Sequence, residues 1–202
     1  MVLEMAADGF GDRVAIGSRD DGMTFDALRR HATAIAAEVG GARPTVALLA
    51  ETSPLVPAAL FGAAWAGVSY APLNYRLPAE ARAALLDRLA PVVVADNSWL
   101  ERDEPSPSGF PDEPTTPAVL LFTSGTTAEP KAATLTHDQL LAYIFNTVEF
   151  GAADADEAVL VAVPPFHIAG VAAVLSSAYA GRRVVALPRF SPEGWLELAT
   201  RE

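Results

Sequence analysis

The chain has no cysteine, so disulfides, thiolate chemistry and cysteine-ligated zinc are all excluded. Lysine is nearly missing as well: Lys131 is the single lysine, against thirteen arginines. No apolar run is long enough to span a bilayer; stretches such as "VPAALFGAAWAGV" are short and sit between turn signals. The N-terminus "MVLEMAADGFGDR" carries acids where a basic n-region would stand, so no signal peptide is expected. A cytoplasmic protein is the expectation. Positive charge is also scarce, with a formal net charge of -11. That excludes a broad nucleic-acid surface, which needs a basic face, and confines any anionic ligand to a local site.

What is present is a globular composition. With 51% hydrophobic and 19% charged residues over 202 positions, the chain can bury a core. "RVAIGSRDDGMTF" reads as two short strands about an Asp-Asp-Gly turn. From Thr24, a helix N-cap, the apolar positions Phe25, Leu28, Ala32, Ile35, Ala36 and Val39 keep helical spacing up to Gly40-Gly41. "TVALLA" is a buried strand, Ser53-Pro54 opens a helix closed by Gly67, and "VSYAPL" is another strand. A helix over 78–89 and a strand over 92–95 follow. Strands alternating with helices predict an α/β fold, a layered and largely parallel sheet with flanking helices.

Residues 101–117, "ERDEPSPSGFPDEPTTP", break this rhythm with five prolines and five acids. They read as an exposed, stiff connection. Beyond it come strands over 119–122 and 132–135 and a helix from Thr136, whose spacing to Gln139 fits a capping box. "EAVLVAV" and "RRVVALP" are strands flanking a small-residue helix over 170–180. Ser191-Pro192 opens a last helix still running at Glu202.

The chemistry concentrates in "LLFTSGTTAEPKAATLTH", Leu120 to His137. Thr123, Ser124, Thr126 and Thr127 supply hydroxyl donors, and Gly125 lets the backbone curl so that several N–H groups converge. Lys131 adds a compact point charge suited to a phosphate chain. Pro130 stiffens the lysine side of the loop. These are the parts of a polyphosphate cradle, although a Ser/Thr-rich hairpin turn fits the same composition. It is not a Walker A loop, G-x-x-x-x-G-K-S/T, because Pro130 stands where glycine precedes the lysine. No G-x-G-x-x-G dinucleotide fingerprint is present either. His167 in "PPFHIAG" is the second candidate, either a hydrogen-bonded core histidine or a ligand-facing one. His31 and His137 read as surface or capping positions, and the three histidines are too scattered for a metal site.

The loop segment resembles the phosphate-binding loop of the adenylate-forming superfamily, the acyl- and aryl-CoA synthetases, luciferases and peptide-synthetase adenylation domains. Their pattern is S/T-S-G-S/T-T-G-x-P-K-G. Three further segments resemble that family in the same order: "MTFDALRRHATAIAAEV", "ALFGAAWAGVSYAPLNYRLPAEA" and "PPFHIAG". Two positions depart from the pattern, since Ala128 and Ala132 stand where glycine is usual. Alanine disfavours positive φ, so the loop is expected to be stiffer or to close differently.

The resemblance implies ATP-dependent carboxylate–CoA ligation, an acid–thiol ligase reaction with ATP, Mg²⁺, CoA and a small carboxylic acid. Fatty and aromatic acids are both open. It implies that Thr123, Ser124, Gly125, Thr126, Thr127 and Lys131 hold ATP phosphates and that His167 lies by the acyl-substrate pocket. The family's adenine, ribose, hinge and catalytic-lysine motifs find no match, so no catalytic residue is assigned within this chain. The expectation is therefore residues 1–202 as the N-terminal portion of an AMP-binding domain, inactive alone, with the remainder in the same polypeptide. The alternative is a short non-catalytic module that binds a nucleotide or a partner protein.

Overall fold

The computed structural model describes residues 1–40, 44–102, 117–123 and 130–202. The connection expected over 101–117 therefore lies mostly outside the described residues. Helix α1 (Val2–Phe10) precedes a hairpin of β1 (Val14–Ile16) and β2 (Met23–Thr24). Then come α2 (Phe25–Val39), β3 (Thr45–Leu48), α3 (Leu55–Ala66), β4 (Tyr70–Pro72), α4 (Ala79–Arg88) and β5 (Val92–Ala95). After a 3-10 turn (Asn97–Glu101) follow β6 (Val119–Thr123), β7 (Lys131–Leu135), α5 (His137–Thr147), β8 (Ala158–Val161), α6 (Ile168–Ala180), β9 (Arg183–Ala186) and α7 (Pro192–Arg201).

The strands form two sheets. One has the order β5-β3-β4-β6-β7, parallel except for β7; the other has the order β2-β1-β9-β8, parallel except for β2. The expected α/β fold is present, but as two sheets. What the local pattern does not carry is the pairing of Ile16 with Val184, which joins the N-terminal hairpin to the last strand. Helix α1 was not anticipated either; it buries Val2, Leu3, Ala6 and Ala7 against the main core.

Alternation along the strands sets the layers. In the five-stranded sheet Val46, Tyr70, Val119 and Leu121 face the main core, with α2, α3 and α6. Ala47, Ala71, Leu120 and Phe122 face the other way, onto Leu85 and Leu89 at the α4 end. Both faces are covered, as a parallel sheet requires. Helix α3 is apolar around nearly its whole circumference, which suits its place at the centre. In the other sheet Val184 lies with Ala173 of α6, whereas its neighbour Arg183 bonds Glu202, just beyond α7.

The helix ends follow their chemistry. Thr24 accepts from the N–H of Ala27 at the start of α2. Thr136 and Gln139 form the full capping box on α5. Gly67 closes α3 at φ 68°, a left-handed conformation that glycine adopts without penalty. No helix among the described residues is long and apolar enough to cross a membrane.

Candidate active site at the carboxyl edges of the two sheets

The candidate loop is the turn of the β6–β7 hairpin. Thr123 pairs with Lys131 and Phe122 with Ala132, so seven residues, 124–130, connect the strands. Ser124, Gly125, Thr126, Thr127 and Ala128 lie outside the described residues. The alternation places the two stem residues. Phe122 belongs to the outer core beneath α4, so Thr123 and its cross-strand partner Lys131 belong to the opposite, inner face. The Thr123 hydroxyl donates to the Lys131 carbonyl at 3.3 Å, tying the stem together. Lys131 is exposed, and among the described residues no carboxylate is paired with it. Its ammonium is thus available to an anion.

From the outer face, Arg88 at the end of α4 holds the same stem. Its Nη1 donates to the Pro130 carbonyl at 2.9 Å, and its guanidinium lies 5.5 Å from the Phe122 ring centroid. Proline has no N–H, so that carbonyl is the one backbone polar group through which Pro130 can be fixed. Nothing in the local sequence marks an arginine at a helix end as the brace of a distant hairpin.

His167 occupies the N-cap position of α6, exposed at the exit from β8. Its N–H donates to the Pro164 carbonyl at 3.1 Å, and its own carbonyl accepts from the Gly170 N–H at 2.9 Å. A side chain at Gly170 would put Cβ 2.9 Å from the Pro164 carbonyl oxygen, so this turn needs glycine. The imidazole lies against Phe166, with centroids 4.8 Å apart, and Phe166 meets Tyr75 edge-on at 5.8 Å and 70°.

These contacts define one edge of the molecule. Tyr75 follows β4, whereas Phe166 and His167 follow β8, so the aromatic contact joins the carboxyl end of one sheet to that of the other. Two further bridges lie there: Thr52 Oγ1 donates to the Val163 carbonyl at 3.4 Å, and Arg189 Nε stands 3.6 Å from Glu51 Oε1. Strand β6 also ends at this edge, so Thr123, Lys131 and His167 share it. No hydrogen bond or ring contact among the described residues links His167 to Lys131. Crevices beyond the carboxyl ends of strands are where open α/β sheets bind ligands.

At the opposite end of β6 lies an apolar cavity of about 290 Å³, lined among others by Trp65, Val119, His137, Leu141 and Leu175. His137 was expected to be only a surface or capping position. Instead its Nε2 is buried with no partner among the described residues, and burial lowers its pKa. Capping of α5 falls to Thr136, leaving the His137 ring free to turn inward. The Tyr70 hydroxyl is likewise buried and unpartnered, and burial raises its pKa.

Several known proteins are similar to this chain. The indoleacetate–CoA ligase of Aromatoleum aromaticum is 28% identical over 210 residues, covering 87% of this chain and 41% of that protein. The feruloyl-CoA synthase of an Amycolatopsis species is 30% identical over 209 residues, covering 89% and 42%. The chain therefore spans about two-fifths of the length of these relatives. In fold it matches o-succinylbenzoate CoA synthetase from Bacillus subtilis, solved with its acyl-adenylate intermediate, at a TM-score of 0.76 and 24% identity. That match covers 99% of this chain and 59% of the other. The AMP-binding enzyme family matches residues 3–202, so the chain belongs to that family.

Proposed function

We propose that residues 1–202 are the N-terminal portion of an AMP-binding domain in an ATP-dependent carboxylate–CoA ligase, with 101–117 as an exposed connection inside it. The observation that supports this most is the family match from residue 3 to residue 202, with Lys131, unpaired among the described residues, on the inner face of the hairpin at the carboxyl edge. Thr123, Ser124, Gly125, Thr126, Thr127 and Lys131 hold the β- and γ-phosphates of ATP. His167 orients the carboxylate of the acyl substrate, a fatty or aromatic acid, from across the edge. The protein is placed in the cytoplasm.

In the first step a carboxylate oxygen attacks the α-phosphorus, and the bond to the bridging oxygen breaks to release pyrophosphate, leaving an acyl-adenylate. In the second, the CoA thiolate attacks the acyl carbon and AMP leaves. The chain's own residues contribute positioning and charge stabilisation: the Lys131 ammonium meets the negative charge that builds on the departing pyrophosphate. Mg²⁺, when bound with the nucleotide, would supply further positive charge beside Lys131. We assign adenine and ribose recognition and the catalytic lysine to sequence outside this chain, which spans about two-fifths of its relatives' length, so the chain alone is expected to be inactive.

The test is pyrophosphate exchange, run with a panel of aromatic and fatty acids on the polypeptide that carries this chain in its native gene. Carboxylate-dependent exchange, lost in Lys131→Ala, is the expected result. A native product that ends near Glu202, binds nucleotide or a partner protein and never exchanges pyrophosphate would replace ligase function with a non-catalytic module.

A further inference from the structure

We infer that Tyr75 is a positioning residue for His167, acting through Phe166 across the gap between the two sheets. This rests on the proposed carboxylate-side role of His167 and adds a residue to that site.

His167 is exposed, and among the described residues its backbone bonds and one ring contact orient it. Its backbone is set by the turn that Pro164 and Gly170 close. Its ring is set on one side by Phe166, at 4.8 Å and 42°. Phe166 therefore decides where the imidazole points, and what fixes Phe166 fixes His167. That support comes from the other sheet: Tyr75 meets Phe166 edge-on, the arrangement in which a positive ring edge faces a negative ring face.

Tyr75 is itself held firmly. The Arg76 guanidinium lies 5.3 Å from its ring centroid, and Arg76 Nη2 donates to the Tyr75 hydroxyl oxygen at 3.2 Å. The turn beneath is braced twice, by the Arg76 N–H to Asn74 Oδ1 at 3.0 Å and by the Leu77 N–H to the Asn74 carbonyl at 3.2 Å. A rigid turn thus carries a cation-backed phenol, which carries Phe166, which carries the imidazole. The phenol acts through its ring, so phenylalanine should replace it.

The first experiment records the ring-proton signals of the three histidines by NMR in the 202-residue chain. His167→Gln assigns its signals. In Tyr75→Ala the His167 signals should move towards those of a free imidazole while those of His31 and His137 stay. In Tyr75→Phe all should stay in place. Phe166→Leu is the second variant, and it should reproduce Tyr75→Ala should that protein fail to fold. His167 signals unmoved by both substitutions would overturn the inference.

The second experiment measures pyrophosphate exchange in the longer polypeptide with benzoate as the probe acid. Tyr75→Ala should raise the carboxylate KM two- to tenfold, about the factor one lost aromatic pair carries, with kcat little changed and Tyr75→Phe restoring KM. Equal losses in kcat and KM, or no rescue by phenylalanine, would overturn it. The two claims separate cleanly. If His167→Ala leaves the carboxylate KM unchanged, the site reading fails, whereas the NMR comparison still decides whether Tyr75 orients His167.

Discussion

Arg183 on β9 and Glu202 beyond α7 form an ion pair at 2.7 Å with side chains only 6% and 8% exposed. Arg183 also donates to the Gly17 carbonyl at 3.1 Å, and the Arg19 N–H and guanidinium both reach Glu202. One cluster thus joins the exit of β1, the strand β9 and the end of α7. It covers the outer side of the sheet that carries His167. A buried guanidinium is tolerable only because its donors are used, so the cluster is costly to break.

Glu202→Ala is therefore expected to destabilise the chain by about 2 kcal/mol, the order for a charged hydrogen-bonding group left without its partner. The hydrogen bond from Arg183 holds the Glu202 pKa below its ordinary value of 4.5. A depressed carboxylate contributes stability that is present above the unfolded value and lost as pH falls through the folded one. Denaturation in urea at a series of acidic pH values should show wild type losing this increment below the ordinary carboxylate range, with Glu202→Gln flatter there. Parallel curves for the two proteins would mean that the pair contributes nothing.

Gly62 tests the packing of the two central helices. A Cβ at this position would fall 2.6 Å from Ile35 Cγ2 and 2.8 Å from Ile35 Cβ. Ile35 is fully buried and β-branched, with no free rotamer to retreat into. Gly62→Ala, which would raise helix propensity in an exposed helix, should here cost about 1–3 kcal/mol through overpacking. Thermal denaturation reads this directly, and a Gly62→Ala midpoint at or above wild type would show that α2 and α3 can separate.

Much of this fold is readable from periodicity and caps. The helix over Phe25–Val39 is delimited by a threonine cap and six apolar positions, all of them buried. The capping box at Thr136 and Gln139 is visible as spacing alone. What stays hidden is any feature made by distant pairing: β1 against β9, Arg88 beneath Pro130, Tyr75 against Phe166. Helix α1 escaped because its nine residues offer no capping side chain at Met1 to announce a start. At the site, Lys131 was conspicuous as the one lysine and His167 as part of a motif, but their common edge follows only from strand direction in two sheets.

His137 should make the chain sensitive to mild acid. Burial is the main cause that lowers its pKa from 6.5, with Asp138 opposing. A histidine kept neutral in the fold binds its proton more readily when unfolded, so stability is full above the unfolded value and declines as pH falls below it. Between about pH 7 and about pH 5 the wild type should lose more stability than His137→Leu. Leucine also places an apolar group where Nε2 has no partner, so it should be at least as stable near neutral pH. A steeper acid decline in His137→Leu would show that the ring gains a partner on protonation.

Lys131 offers the sharpest test of the loop. It is exposed, so removing it should leave the fold intact, and any loss must appear in ligand binding. Pyrophosphate titrated calorimetrically into the chain should bind Lys131→Ala about tenfold more weakly, the scale of one charge-assisted contact near 1.4 kcal/mol. Lys131→Arg should recover part of this, because charge is kept while the compact ammonium is replaced by a planar fork. Added salt should weaken wild type more than Lys131→Ala, since the lost interaction is electrostatic and this residue is exposed. The Thr123 hydroxyl, 3.3 Å from the Lys131 carbonyl, gives an internal control. Thr123→Val should loosen the stem and weaken binding by less than the lysine substitution. Equal pyrophosphate affinity in wild type and Lys131→Ala would reduce the segment to a threonine-rich turn and remove the phosphate cradle from the site.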